Sequence, residues 1–125
     1  MNPGKINIPE ERLYRVGITG TGAADPTKRA GPGVTVTRTA TGVYRFTFAK
    51  NPGTFVGIAG HGFGADTPSG VKGYTISRDT PEAATSSASA YIDVSVWNSS
   101  FAAANLEALQ YLDITFAYAA QSVIA

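Results

Sequence analysis

The chain has no cysteine and a single histidine, His61. The first absence excludes disulfides and every thiolate metal site, without fixing a compartment, because a cysteine-free chain suits reducing and oxidising surroundings alike. The second leaves acid–base and metal chemistry one imidazole to work with. Charge of one sign is also missing: ten Lys and Arg against nine Asp and Glu leave a net charge of +1. A nucleic-acid binder shows a concentrated basic surface instead. No apolar run approaches the ~20 residues that cross a bilayer. Met1 to Glu11, with Pro3, Pro9 and two adjacent acids, lacks the apolar stretch of a signal peptide. These absences predict a soluble protein with no nucleic-acid and no membrane partner.

What is present points to strands. Fourteen Gly and seven Pro in 125 residues make turns frequent and helices few. Three segments alternate apolar residues at every second position: Tyr44, Phe46, Phe48; Ile92, Val94, Val96; and Leu112, Ile114, Phe116, Tyr118. Strand side chains point alternately to opposite faces, so each segment predicts a strand with one buried face. At this length one domain is expected, burying roughly two-thirds of the surface of its unfolded chain.

Residues 1–12 read as an extended arm in which Ile6 and Ile8 share a side, followed by one domain over 13–125. A first strand is expected over Leu13–Thr19, then a long glycine- and proline-rich loop over 20–33 with Lys28 and Arg29 at its centre; loops of that length in a compact domain are usually contact elements or disordered. Val34–Ala40 and Val43–Ala49 form a hairpin whose Gly42 supplies a positive φ. Further strands are expected over Thr54–Ala59, 70–79, Tyr91–Trp97 and Tyr111–Ala119, with an exposed Ala/Ser/Thr-rich segment over 80–90. Between the last two, Ser100 is placed to cap a short helix carrying Phe101, Leu106 and Leu109 on one side. About seven strands with at most one short helix predict an all-β, antiparallel β-sandwich or jelly-roll-like domain.

Catalytic patterns are weak. Gly17, Gly20 and Gly22 follow a strand, but their spacing reverses the dinucleotide fingerprint and Pro26 continues a loop where a helix would be needed. His61 sits among glycines, without a serine elbow or ligand spacing; near a symmetry axis it would serve subunit packing. Asp93 and Asp113 are candidates to face each other across adjacent strands, although outward acids on sheets are ordinary. Asn98-Ser99-Ser100 matches a glycosylation pattern that no secretory signal supports. No enzyme activity, metal or cofactor is therefore expected. Tyr91, Trp97 and Tyr111 fall on the side opposite the apolar rows. Together they read as an aromatic outer face, suited to subunit packing or, less readily, to a sugar ring. Charge is unevenly distributed: residues 1–50 carry eight bases and three acids, residues 51–125 two bases and six acids. Strands that mix in space cancel such poles, whereas a repeated assembly uses them.

Arg38-Thr39-Ala40-Thr41-Gly42-Val43-Tyr44, with Phe48 following, resembles a strand motif of small β-rich virion proteins of tailed bacteriophages. Leu112–Phe116, after the Ala-rich 101–105, resembles their closing strand. The same Gly-Val-Tyr-x-Phe-x-Phe strand is similar to the trimeric C1q/tumour-necrosis-factor-like jelly roll. The likeness implies a non-enzymatic capsid decoration (cement) protein on the outer capsid surface of a virion, trimeric and bound to the major capsid protein. Capsid contact is then expected from Ile6, Ile8, Lys28 and Arg29, and subunit packing from Tyr91, Trp97 and Tyr111. The alternative is a receptor- or carbohydrate-binding head of a phage fibre. Such a head more often follows a coiled-coil stalk, which this chain lacks, and Met1 is read as the start of the frame.

Overall fold

A computed structural model describes residues 11–50, 52–64, 70–76 and 90–119. Eight strands occur among the described residues, in chain order β1 (Glu11–Thr19), β2 (Thr27–Ala30), β3 (Val34–Ala40), β4 (Val43–Phe48), β5 (Thr54–Gly64), β6 (Gly73–Ile76), β7 (Tyr91–Trp97) and β8 (Tyr111–Ala119). They form two four-stranded sheets, β2-β1-β8-β5 (sheet 1) and β3-β4-β7-β6 (sheet 2), with every pairing antiparallel. The pairs are nested: β1 lies beside β8 in one sheet and β4 beside β7 in the other. The two sheets pack face to face as an antiparallel β-sandwich.

The three alternating rows meet between the sheets. Tyr44, Phe46 and Phe48 of β4 and Ile92, Val94 and Val96 of β7 face Leu112, Ile114, Phe116 and Tyr118 of β8, all with 1% exposure or less. Val16 and Ile18 of β1 complete the wall. Rings cross edge to face, Phe46 against Phe116 at 5.3 Å and Phe48 against Tyr118 at 5.2 Å. Burying each large side chain contributes roughly 1.5–3 kcal/mol, so this row-on-row contact is the main apolar stabilisation.

The expected hairpin forms with Gly42 at φ 71°. Four expectations are revised. The 20–33 loop contains the short strand β2, which extends sheet 1. β5 does not stop at Ala59 but runs through His61 to Gly64, because bulges between Phe55 and Gly57 and between Ile58 and Gly60 let it stay paired with β8. No helix forms over 99–110. Leu106 alone of the three apolar residues is buried, while Phe101 and Leu109 project into solvent at left-handed φ values of 61° and 73°. Hydrogen bonds from side chains replace the helical ladder: Leu106 N–H donates to the Tyr44 hydroxyl (2.9 Å), and Gly42 N–H to Asn105 Oδ1 (2.9 Å). β1 begins at Glu11, so the last two residues of the expected arm are strand; residues 1–10 and the 80–89 part of the Ala/Ser/Thr-rich segment lie outside the described residues.

Candidate interaction surface

The outer face of sheet 1 is unusual for what it lacks. Register places Gly57, Gly60, Gly62 and Gly64 of β5 opposite Ala117, Thr115, Asp113 and Tyr111, the outward residues of β8. Cross-strand partners share a face, so among the described residues the β5 flank of this face is almost bare of side chains. Gly57 needs its conformation (φ 157°), and the Tyr111 ring lies where a side chain at 64 would stand. Gly60 and Gly62 have no such reason. A Cβ on Gly60 would come no nearer than 4.0 Å to Thr115 Oγ1, and one on Gly62 would make ordinary contact with Asp113 at 3.7 Å. The fold itself does not require glycine at either position.

Beside the glycines lies a shallow depression of about 300 Å3 lined by Arg15, Gly60, His61, Gly62, Asp113 and Thr115. Two arginines converge on Asp113. Arg29 Nη2 bonds Oδ1 directly, while Arg15 Nη2 stands 3.9 Å from Oδ2 with its side chain 74% exposed. Arg29 also lies over the Tyr111 ring, 5.2 Å from its centroid. Exposed Leu13 and Val56 belong to strands of the same sheet. The result is a low-relief surface with apolar patches and an Asp-centred charge cluster whose guanidinium at Arg15 is only loosely engaged. Such a surface suits flat protein contact.

Sheet 2 closes its outer face on itself. Arg45 makes a bidentate pair with Asp93 (2.8 and 3.1 Å) and stacks 3.8 Å from the Tyr91 centroid. That pairing pushes the Arg45 guanidinium further above its ordinary pKa, chiefly through the hydrogen bond to Asp93.

The residues singled out in the sequence are distributed as follows. Tyr91 and Trp97 lie on sheet 2 and Tyr111 on sheet 1, so the three do not form one aromatic face. Alternation along a strand shows which side a residue takes, not which sheet the strand joins. For the same reason Asp93 and Asp113 do not face each other; they sit on the two opposite outer faces, Asp93 with Arg45 and Asp113 with Arg29 and Arg15. Lys28 does not project from a loop. Its ammonium donates to the carbonyls of Gly31 (2.8 Å) and Val34 (2.6 Å), closing the β2–β3 connection. Ile6 and Ile8 lie outside the described residues. His61 is exposed at the open edge of β5, its ring 5.7 Å from that of Tyr74 on β6. Among the described residues no group of three or more His, Asp or Glu side chains is placed to hold a metal ion.

Sequence reasoning missed Arg15, Gly60 and Gly62, although a signal was there. Gly60-His61-Gly62-Phe63-Gly64 has the period of two of a strand, which makes one whole face glycine once β5 is allowed to continue. Comparison of the chain with protein families, with curated proteins and with solved structures yields no match.

Proposed function

We propose that this protein is a non-enzymatic structural protein of a virion, a capsid decoration protein that trimerises and binds the major capsid protein on the outer shell. The assembly part of the reading is carried by one observation: Gly60 and Gly62 leave the β5 flank of sheet 1's outer face without side chains where the fold does not call for glycine. A surface without side chains lets another backbone or a flat partner approach closely. The loosely paired Arg15 beside Asp113 supplies charges of both signs at its centre, which fix orientation rather than raw affinity. The virion part rests on the likeness of the 38–48 strand to phage virion proteins. Modest contacts repeated over several copies would add up to firm attachment to a shell.

The test is co-sedimentation of the purified protein with undecorated phage capsids, paired with equilibrium sedimentation of the protein alone. Binding and a trimer mass are expected for the wild type. Gly60→Trp, whose Cβ would meet nothing nearer than Thr115 Oγ1 at 4.0 Å, should weaken both at least tenfold. Failure to bind capsids while the trimer persists overturns the virion reading and leaves the self-assembly surface standing. Binding to immobilised glycans that Trp97→Ala abolishes would favour the fibre-head alternative.

A further inference from the structure

Among the described strands the sheet edges are β2 and β5 in sheet 1 and β3 and β6 in sheet 2. Three of them carry the usual protection against pairing with another chain, which is shortness or charge. β2 and β6 have four residues each, β2 with Lys28 and Arg29, and β3 carries Arg38. β5 has neither defence. It runs for eleven residues without Lys, Arg, Asp, Glu or Pro. Its two bulges lie before Gly60, and over residues 60–64 the register with β8 is unbroken. An antiparallel edge strand turns the N–H and C=O of every second residue away from its neighbour. Among the described residues nothing bonds those groups over 60–64.

The inner side of the same edge is unfinished. His61 and Phe63 are register partners of the core residues Ile114 and Leu112 and so face inward, and the His61 ring meets that of Tyr74 on β6 at 5.7 Å. Ile58, Phe63, Tyr74 and Ile76 are only half-buried along this side, whereas their partners on β7 and β8 are enclosed. A strand added to β5 would complete the backbone ladder and cover these side chains at once.

The chain has a segment with the matching chemistry. Residues 4–9, Gly-Lys-Ile-Asn-Ile-Pro, alternate two β-branched apolar residues with Lys5 and Asn7. Pro3, Lys5 and Pro9 are residues that blunt an edge, so a strand of this sequence would end the sheet rather than extend it. The segment cannot serve its own β5. β1 starts at Glu11 beside Ala119, whose other neighbour is Thr54. The position beyond β5 is therefore three strand spacings from β1, about 14 Å. Ile8 stands three residues before Glu11 and reaches about 10–11 Å at full extension. We infer that residues 4–9 of one copy pair with residues 60–64 of a neighbouring copy, with Ile6 and Ile8 laid against Phe63 and Tyr74. The contact rests on the self-association proposed above and supplies its mechanism, assigning both isoleucines to a neighbouring subunit instead of the shell. Each copy donates one arm and accepts one, so three copies close a ring with no edge left over.

The full-length Ile6→Asp/Ile8→Asp variant tests the contact, because both positions precede β1 and β5 is left unchanged. In sedimentation it should need at least a tenfold higher concentration than the wild type to associate, with circular dichroism unchanged. Amide hydrogen exchange supplies the location. Over residues 60–64 the wild type should exchange at least tenfold more slowly when associated than when diluted, and the variant should show no such difference. A variant that associates like the wild type overturns the arm contact and leaves the trimer standing. Loss of association with exchange at 60–64 unaltered also overturns it, as does protection there that dilution does not change. An arm-dependent dimer with 60–64 protected would uphold the contact and overturn the trimer. A wild type that stays monomeric overturns both.

Discussion

Two tyrosines buried in one core are treated differently by their surroundings. The Tyr44 hydroxyl accepts Leu106 N–H and ties the β7–β8 loop to the core. The Tyr118 hydroxyl is buried without a partner among the described residues, between the rings of Tyr14, Phe48 and Phe55. Leaving a buried donor unmade costs about 1–3 kcal/mol, so the two Tyr→Phe substitutions should have opposite signs. Tyr118→Phe should raise stability by about 1 kcal/mol and Tyr44→Phe should lower it by about 1–2 kcal/mol, read from urea denaturation midpoints. Burial holds both phenols above the ordinary tyrosine pKa, as it does Tyr74. A raised pKa means the folded state binds the proton more tightly. Their contribution is therefore fully present below about pH 10, the unfolded value, and is lost as pH climbs through the folded value. Denaturation midpoints should stay flat through neutral pH as far as these groups are concerned and fall above about pH 10, less steeply in Tyr118→Phe.

At the scale of the element, the hairpin turn and the 98–110 loop are built as one unit. Gly42 carries φ 71°, and a Cβ there would stand 2.8 Å from the Val96 carbonyl oxygen and 2.9 Å from Ala104 N. Its N–H is meanwhile bonded to Asn105, which also accepts Arg38 Nε. Gly42→Ala should therefore cost at least ~2 kcal/mol, because backbone strain and a collision with backbone atoms act together. The strain at Phe101 points the other way. Replacing it with Asn, which tolerates left-handed φ, should stabilise the isolated protein by about 1 kcal/mol in the same denaturation assay. A loop whose stability improves when its most exposed ring is removed is one whose sequence answers to something outside the chain.

Across the whole molecule, the two outer faces divide the work unequally. Sheet 2 occupies its central charges internally through Arg45, Asp93 and Tyr91, whereas sheet 1 leaves Arg15 mostly exposed above a glycine flank. The contrast predicts that Gly60→Ala changes folding stability by less than ~0.5 kcal/mol, while Gly60→Trp leaves the fold intact and disrupts association. A Gly60→Ala variant as unstable as Gly42→Ala would show that the bare face serves the fold and not a partner.

The period of two was enough to define the three apolar rows, the turn at Gly42 and the all-β class, because alternation and turn chemistry are local properties of the chain. Strands Tyr91–Trp97 and Tyr111–Ala119 stand where the pattern put them. β2 and the second half of β5 were hidden because their sequences are exposed or glycine-rich, and pairing with β1 and β8, not side-chain pattern, makes them strands. The helix expected after Ser100 failed because side chains satisfy N–H groups of the loop instead: Asn98 and Gln110 from its two ends, and Tyr44 from a distant strand. Which sheet each strand joins is set by long-range register, and only the tertiary structure decided it. That choice placed Tyr111 and Trp97 on different faces, gave Asp93 and Asp113 separate arginines, and laid Gly60 and Gly62 open beside Arg15.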